Sequence, residues 1–151
     1  MSVLTLSAAL ELRKGKRLVF TNGVFDILHA GHVQYLEQAK EMGDLLIVGM
    51  NTDDSVRMLG KGANRPINTF DDRASVLSAL RCVDGVISFS DQTPIELVRA
   101  LMPETYVKGG DYKEEDLPES PIVKEYGGDV VILPLLQGRS STAILGRLVG
   151  A

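Results

Sequence analysis

The chain has 151 residues, of which 44% are hydrophobic and 24% are charged, and this balance predicts one folded domain over residues 1–151. The formal net charge of −4 excludes a general attraction to nucleic acid or to anionic membranes. No apolar stretch approaches the roughly 20 residues that span a bilayer, and no signal-peptide pattern opens the chain. A single cysteine, Cys82, excludes an internal disulfide and fits a reducing compartment, so we expect a cytoplasmic protein.

Strand and helix patterns alternate along the chain. A short helix over residues 4–13 forms an N-terminal extension, 1–15, ahead of a core at 16–151. Apolar runs predict five strands, at residues 18–21, 45–50, 83–89, 106–108 and 130–133. Helical spacing and capping residues predict four further helices, at 33–40, from Thr69 through Leu80, from the N-cap Thr93 to Met102, and at 141–148. The alternation predicts an α/β fold, a doubly wound five-stranded parallel sheet with helices on both faces.

Both histidines, His29 and His32, lie in one short segment, where the first strand passes into the next helix. Ligands of open α/β sheets bind at the carboxyl ends of strands, and amides at a helix start favour phosphate. Gly23 and Gly31 allow a nucleotide to approach the backbone closely. Two imidazoles in this setting suit stabilisation of a pentacoordinate phosphorus, and the alternative is a pair of structural histidines that cap a turn.

Segment 23–32 resembles the HxGH signature of the cytidylyltransferase-like nucleotidyltransferases. Three further motifs follow in the order of that family, at residues 61–66, 107–112 and 140–142. The set most resembles the adenylyltransferase domain of ADP-heptose synthesis enzymes, and the similarity runs from about residue 18 to 148. The resemblance implies a Rossmann-like fold and transfer of AMP from ATP to D-glycero-β-D-manno-heptose 1-phosphate. It also implies Mg²⁺ as a cofactor that accompanies ATP.

The resemblance further implies roles for individual residues. The expected catalytic residues are His29, His32 and Lys61, and a small pKa shift can make an imidazole a cationic donor near neutral pH. The expected nucleotide-binding residues are Asn22, Gly23, Val24, Phe25, Gly31, Lys108, Gly109, Asp111, Ser140, Ser141 and Thr142. The expected acceptor-binding residues are Asn51, Asp53, Arg65 and Arg73. Asp26 is a candidate magnesium ligand, a partner that orients a histidine, or a carboxylate that bonds turn amides.

Each of these residues also has an ordinary structural interpretation. The lysine and arginines can be solvated surface cations, and Ser140, Ser141 and Thr142 can be plain helix caps. The glycine pair after Lys108 can form a turn with a salt-bridged Lys108–Asp111 pair. Closure of the loop around Lys61 over the triphosphate is a further hypothesis.

Two alternative functions stay open at this point. The same fold serves glycerol 3-phosphate cytidylyltransferases and FMN adenylyltransferases, and a nucleotide-binding regulatory module without turnover is an alternative of another class. In many relatives the domain is fused to a sugar kinase, so the resemblance implies a separate kinase partner. Relatives are often dimers, so we expect a homodimer. The resemblance also implies that the product is used to make a glycan or lipopolysaccharide.

Overall fold

The structure, a computed structural model, describes residues 3–136 and 138–150. The strands are β1 Leu18–Gly23, β2 Leu45–Asn51, β3 Gly85–Phe89, β4 Thr105–Gly109 and β5 Asp129–Leu133. The helices are α1 Leu6–Leu12, α2 Ala30–Lys40, α3 Asp53–Met58, α4 Phe70–Ser78, α5 Ile95–Leu101, α6 Ser120–Glu125 and α7 Ser141–Val149, and a 3-10 helix spans Glu114–Asp116. None of the helices in this described part is long and apolar enough to cross a membrane. Residues 1, 2, 137 and 151 of the predicted domain lie outside the described residues.

The five strands form one parallel sheet in the order β3-β2-β1-β4-β5. The central strand β1 pairs with β2, where Leu18 lies opposite Leu45, and with β4, where Val19 lies opposite Thr105. The chain builds outward from β1 through β2 to β3 and then returns to the other side of β1 as β4. Such a reversal of strand order opens a crevice between the carboxyl ends of the two central strands, where ligands of this fold class bind.

The two faces of the sheet carry separate hydrophobic cores. On one face, Val19 of β1 and Leu46 of β2 pack with helices α2 and α4. On the other face, Phe20 of β1 and Ile47 of β2 pack with α1, α5 and α6. Successive strand residues point to opposite faces, so the continuous apolar runs in the strands fill both cores. The predicted doubly wound parallel sheet with helices on both faces is confirmed.

Some helix boundaries differ from the prediction. The Thr69 hydroxyl accepts the Asp72 N–H at 3.3 Å, which confirms the predicted cap of α4. The prediction of Thr93 as the cap of α5 was wrong, because Pro94 takes that position and no side chain caps this helix. Helices α3 and α6 were not predicted as helices, since six residues are too few to establish an apolar period.

Candidate active site

A pocket of about 260 Å³ opens where the carboxyl ends of β1 and β4 meet the starts of α2 and α7. Its lining residues come from strands β1 and β4, helices α2 and α7, and four loops. They are Asn22, Gly23, Val24, Phe25, Asp26, His29, His32, Tyr35, Lys61, Arg65, Lys108, Gly109, Tyr112, Leu135, Arg139, Ser140, Ser141 and Thr142. The structure therefore brings together residues of all four sequence motifs at the edge of the sheet that favours ligands.

The two histidines bond to the backbone of their own turn. His29 is the N-cap of α2, and its Nδ1 accepts the Gly31 N–H at 3.1 Å. The Nδ1 of His32, three residues into the helix, accepts the His29 N–H at 3.3 Å in return. A neutral imidazole has one acceptor and one donor nitrogen, so acceptance at Nδ1 leaves Nε2–H as the donor on both rings. Each ring is thereby held in one tautomer.

The surroundings of the histidines favour their neutral forms. Burial, and then the charge of the neighbouring His29, lower the pKa of His32 to about 4. Burial and then the Arg139 cation lower the pKa of His29. The protein's own groups thus hold both rings neutral near pH 7, in contrast to the predicted cationic donors, and each ring offers a neutral Nε2–H.

Two glycines give the histidine turn its shape. A Cβ on Gly31 would lie 2.9 Å from the His29 ring, so only glycine lets this ring fold back over the helix start. A Cβ on Gly23 would lie 2.9 Å from the ring of Phe25, whose φ of +50 is strained for a side chain of its size. The Phe25 ring in turn lies 5.2 Å from the His32 ring between centroids. Gly23 itself lines the pocket. Gly31 does not line it, but its missing side chain leaves the space that the His29 ring occupies.

Four cations line the pocket although the whole chain is acidic. They are Lys61, Arg65, Lys108 and Arg139. Partial burial and then the Arg65 charge lower the pKa of Lys61, and burial also lowers the pKa of Lys108, which Glu119 opposes. Lys108 Nζ lies 5.2 Å from the Tyr112 ring centroid, a cation–π contact. Such a cluster concentrates positive potential in one cleft and suits a polyanionic ligand.

Asp26 does not fit the predicted role of a magnesium ligand. Its side chain is 0% exposed, and its two oxygens accept Arg65 Nε at 2.7 Å and the backbone N–H groups of Ile67 and Asn68. These bonds hold its pKa low despite burial, which acts in the opposite direction. Among the described residues, no group of three or more His, Cys, Asp or Glu side chains is arranged to hold a metal ion. The third interpretation of Asp26, a carboxylate that bonds backbone amides, is the one the structure supports.

Three of the four predicted acceptor-binding residues lie outside the pocket. The Arg73 side chain is 0% exposed, and its three nitrogens donate to Asn68 O, Val24 O and Asp53 Oδ1. Asn51 is buried and its amide donates to Ser55 Oγ at 2.8 Å. Because these groups are already paired, the structure does not offer Arg73, Asn51 or Asp53 to an acceptor. Only Arg65 of the predicted set lines the pocket, and it is paired with Asp26.

The start of α7 supplies amides more than free hydroxyls. Ser140 Oγ caps the helix by accepting the Ala143 N–H at 2.9 Å. Ser141 Oγ donates to Ile27 O at 2.9 Å and accepts the Ile27 N–H at 3.3 Å, which joins this helix to the histidine segment. The helix start and the nearby Arg139 can still receive phosphate oxygens. Asp111 is exposed and outside the lining, so its predicted contact with the nucleotide has no counterpart in the pocket.

Four lining residues were absent from the predicted site, namely Tyr35, Tyr112, Leu135 and Arg139. Tyr112 is the last residue of the motif 107–112 and Arg139 directly precedes the motif 140–142, and these positions were the available signal. Tyr35 is the third residue after His32, on the same side of α2, and its hydroxyl bonds Thr21 Oγ1 and Val107 O. The helical period could have placed it at the pocket floor.

A larger cavity, of about 610 Å³, lies at the opposite edge of the sheet, where β1, β4 and β5 begin. Arg13 in its wall donates to Leu101 O and Met102 O and pairs with Glu104. This larger cavity lacks the two histidines and the helix starts that can receive phosphate, so its size does not make it the candidate active site.

Known proteins resemble this chain over the region that contains the histidine turn and the loop around Lys61. The family described as cytidylyltransferase-like matches residues 20–136. The D-beta-D-heptose 1-phosphate adenylyltransferase of Bordetella bronchiseptica is 55% identical over 136 residues, which cover 90% of this chain and 84% of that protein. The bifunctional protein HldE of Wolinella succinogenes is 53% identical over 138 residues, or 91% of this chain, but the match spans only 28% of that longer protein.

A solved structure also resembles this chain in sequence and in fold. The lipopolysaccharide core biosynthesis protein from Thermoplasma volcanium superposes with a TM-score of 0.67 and 31% identity, over 81% of this chain and 98% of that one. The family match covers most of the chain, including the end of β1, the histidine turn and the loop around Lys61. By its sequence, its sheet and its histidine turn, this chain belongs to the cytidylyltransferase-like family.

Proposed function

We propose that this protein transfers AMP from ATP to D-glycero-β-D-manno-heptose 1-phosphate, forming ADP-heptose and pyrophosphate. The observation that carries the proposal is the 55% identity to a heptose 1-phosphate adenylyltransferase over nearly the full length of both chains. The pocket adds the chemistry that such a reaction requires, two imidazole donors together with the cations Lys61, Lys108 and Arg139. The match therefore supports the substrates, and the geometry supports the reaction type.

In the proposed reaction, an oxygen of the sugar phosphate attacks the α-phosphorus of ATP. A P–O bond forms on one side while the bond to the bridging oxygen of the β-phosphate breaks on the other, and its electron pair leaves with pyrophosphate. A phosphate monoester is already anionic near neutral pH, so the site needs no strong base. It must align the two reactants and stabilise the charge on the transferring group and on the leaving group.

The pocket residues divide this work by their chemistry. The neutral Nε2–H groups of His29 and His32 donate to oxygens of the α-phosphate and of the leaving group. Lys61, Lys108 and Arg139 neutralise the triphosphate charge, and the start of α7 presents its backbone N–H groups to the outer phosphates. Preorganised donors of this kind are among the largest contributions to catalysis of group transfer.

Magnesium enters this proposal as an ion bound to ATP. Asp26 is fully engaged by Arg65 and by two backbone amides, so the described residues do not fit a resident metal at this position. The sugar 1-phosphate must come from a phosphorylating reaction, and we propose a sugar kinase as its source.

Pyrophosphate release tests the proposal directly. The protein is incubated with Mg²⁺, β-heptose 1-phosphate and ATP, CTP, GTP or UTP in separate reactions. We expect release with ATP and the heptose phosphate together. Glycerol 3-phosphate with CTP and FMN with ATP serve as the competing pairs. Turnover with either competing pair in place of the heptose phosphate would overturn the substrate assignment, and nucleotide binding without any turnover would indicate a regulatory module.

A further inference from the structure

The buried Asp26 connects the histidine segment to the loop that carries Lys61 and Arg65. Its carboxylate accepts Arg65 Nε at 2.7 Å, the Ile67 N–H at 2.9 and 3.0 Å, and the Asn68 N–H at 2.9 Å. The Asn68 side-chain amide donates back to Asp26 O at 2.7 Å. Asp26 thus bonds two consecutive backbone N–H groups of the loop, the Arg65 side chain and the Asn68 side-chain amide.

Arg73 reinforces this connection from α4. Its guanidinium donates to Val24 O at 2.8 Å and to Asn68 O at 3.0 Å. It therefore holds the backbone of the histidine segment and of the loop at once, while its remaining nitrogen pairs with Asp53. Buried charges that are paired and fully hydrogen-bonded hold their geometry tightly, because removal of one partner leaves the other charge buried and unpaired.

The preceding part of the loop has little to hold it. Residues 59–64 are exposed, and Gly60 and Gly62 have positive φ values of +68 and +129. The Arg65 N–H bonds to Gly62 O, which is a contact inside the loop itself. Lys61 lies in this stretch and still reaches the pocket, so its place depends on where the loop is fastened at residues 65–68.

We propose that Asp26 is a positioning residue that fastens the loop 60–68 to the histidine segment and so places Lys61 beside the two imidazoles. Arg65 serves mainly as the partner of Asp26 in this attachment. The kinetic consequence rests on the proposed function, whereas the attachment of the loop does not. Asp26→Asn keeps the size of the side chain, removes the charge that pairs with Arg65, and turns a donor toward the backbone N–H groups of the loop.

Limited trypsin digestion without nucleotide tests the attachment. Trypsin can cut after Lys61, whereas Pro66 protects the bond after Arg65. Cleavage after Lys61 is followed by mass spectrometry relative to cleavage after the exposed turn residue Lys16 in the same sample. We expect this ratio to rise about tenfold in Asp26→Asn, because opening of the loop no longer breaks the Asp26 bonds. An unchanged ratio overturns the proposal.

Asp54→Asn is the matched control. Asp54 also pairs with an arginine, Arg57, at 2.6 Å, but its side chain is 91% exposed. The control should leave the Lys61 ratio as in the wild type, and an equal rise in both variants would overturn the assignment to Asp26. If Asp26→Asn does not fold, Asn68→Ala removes one of the attaching bonds without a buried charge. We expect an increase of about threefold from it, and no increase would equally overturn the proposal.

Kinetics separate positioning from a general loss of structure. A misplaced Lys61 weakens ATP binding, so we expect the KM for ATP to rise about tenfold in Asp26→Asn while kcat stays within about threefold of wild type. A smaller folded fraction would lower the apparent kcat and leave KM unchanged, and that result would overturn the positioning role. If wild type shows no adenylyl transfer but the variant shows a released loop, the proposed function fails and the attachment stands.

Discussion

The imidazole rings of His29 and His32 lie 3.9 Å apart between centroids, and each ring accepts a backbone N–H of the turn that the two histidines share. The first turn of α2 is therefore closed by the same side chains that point their remaining nitrogen toward the pocket. These backbone N–H groups fix the donor atom, Nε2–H, and no carboxylate of the described residues takes part. This relationship also makes the geometry of the helix start a determinant of the chemistry.

The first prediction concerns the donor role of His32. His32→Ala removes one Nε2–H from the site, and loss of a single preorganised donor of this kind costs about a hundredfold or more in turnover. The fold should survive, because the ring is at the edge of the core and the cap by His29 remains. Pyrophosphate release and far-ultraviolet circular dichroism check the two parts. Wild-type turnover in the folded variant would remove His32 from the mechanism.

The second prediction concerns stability against pH. The folded pKa of His32, about 4, lies below its ordinary 6.5, so the unfolded chain binds more protons between these values. The contribution of the neutral His32 ring to the free energy of unfolding is complete above pH 6.5 and is lost as the pH falls toward 4. From the size of the shift, we expect His32 to account for roughly 3 kcal/mol of the decline in unfolding free energy across this window.

His32→Asn supplies the comparison, because an asparagine oxygen can still accept the His29 N–H. Urea unfolding of both proteins at pH 7, 5.5 and 4.5 isolates this contribution, since the other titrating groups are common to the two chains. The free energy of unfolding of the wild type minus that of His32→Asn should decrease as the pH falls. A constant difference across the window would show that the pKa of His32 is not lowered by folding.

Local sequence patterns predicted much of the fold and site, because β-strand runs and the histidine motif are local features. The roles of Arg73 and Asp26 were not predictable in the same way. Both carry charges that suggest a phosphate or a metal, yet each bonds to a backbone group far along the chain, Val24 O for Arg73 at a separation of 49 residues and the Ile67 N–H for Asp26 at 41. Only the three-dimensional structure reveals that these charges are already satisfied.

The third prediction uses the two glycines Gly31 and Gly146. Gly31→Ala forces the His29 ring aside, because its Cβ would lie 2.9 Å from that ring. We expect turnover to fall about tenfold or more, since small misplacements of a catalytic group are costly. Gly146 is inside α7, where an added Cβ meets nothing within 4 Å. Gly146→Ala should therefore raise the unfolding free energy by up to about 1 kcal/mol and leave turnover unchanged.

Urea unfolding and initial rates on the two alanine variants provide the measurement. If Gly31→Ala kept wild-type turnover, the His29 ring would have to be free to move, and its bond to the Gly31 N–H would be dispensable.

The fourth prediction separates the two arginines Arg73 and Arg139. Arg73→Gln should lower the unfolding free energy by about 2–4 kcal/mol, because it leaves Asp53 and two carbonyl groups without their donor. Arg139 is exposed, and no carboxylate among the described residues pairs with it. Arg139→Gln should change stability by less than about 0.5 kcal/mol and raise the KM for ATP about tenfold.

Denaturant unfolding gives the free energy of unfolding for each variant, and initial rates at varied ATP and at varied acceptor concentration give the two KM values. The opposite pattern, a stable Arg73→Gln with a raised KM for the acceptor, would restore Arg73 as an acceptor-binding residue.

The central strand β1 contributes Val19 to one core and Phe20 to the other, and it ends at Asn22 and Gly23 in the pocket wall. A partly unfolded chain that keeps only one core therefore has no complete site. A ligand at a hundred times its dissociation constant adds about 2.7 kcal/mol to the free energy of every opening that destroys the site. Nucleotide should accordingly slow amide hydrogen exchange on both faces of the sheet together, including at amides far from any phosphate.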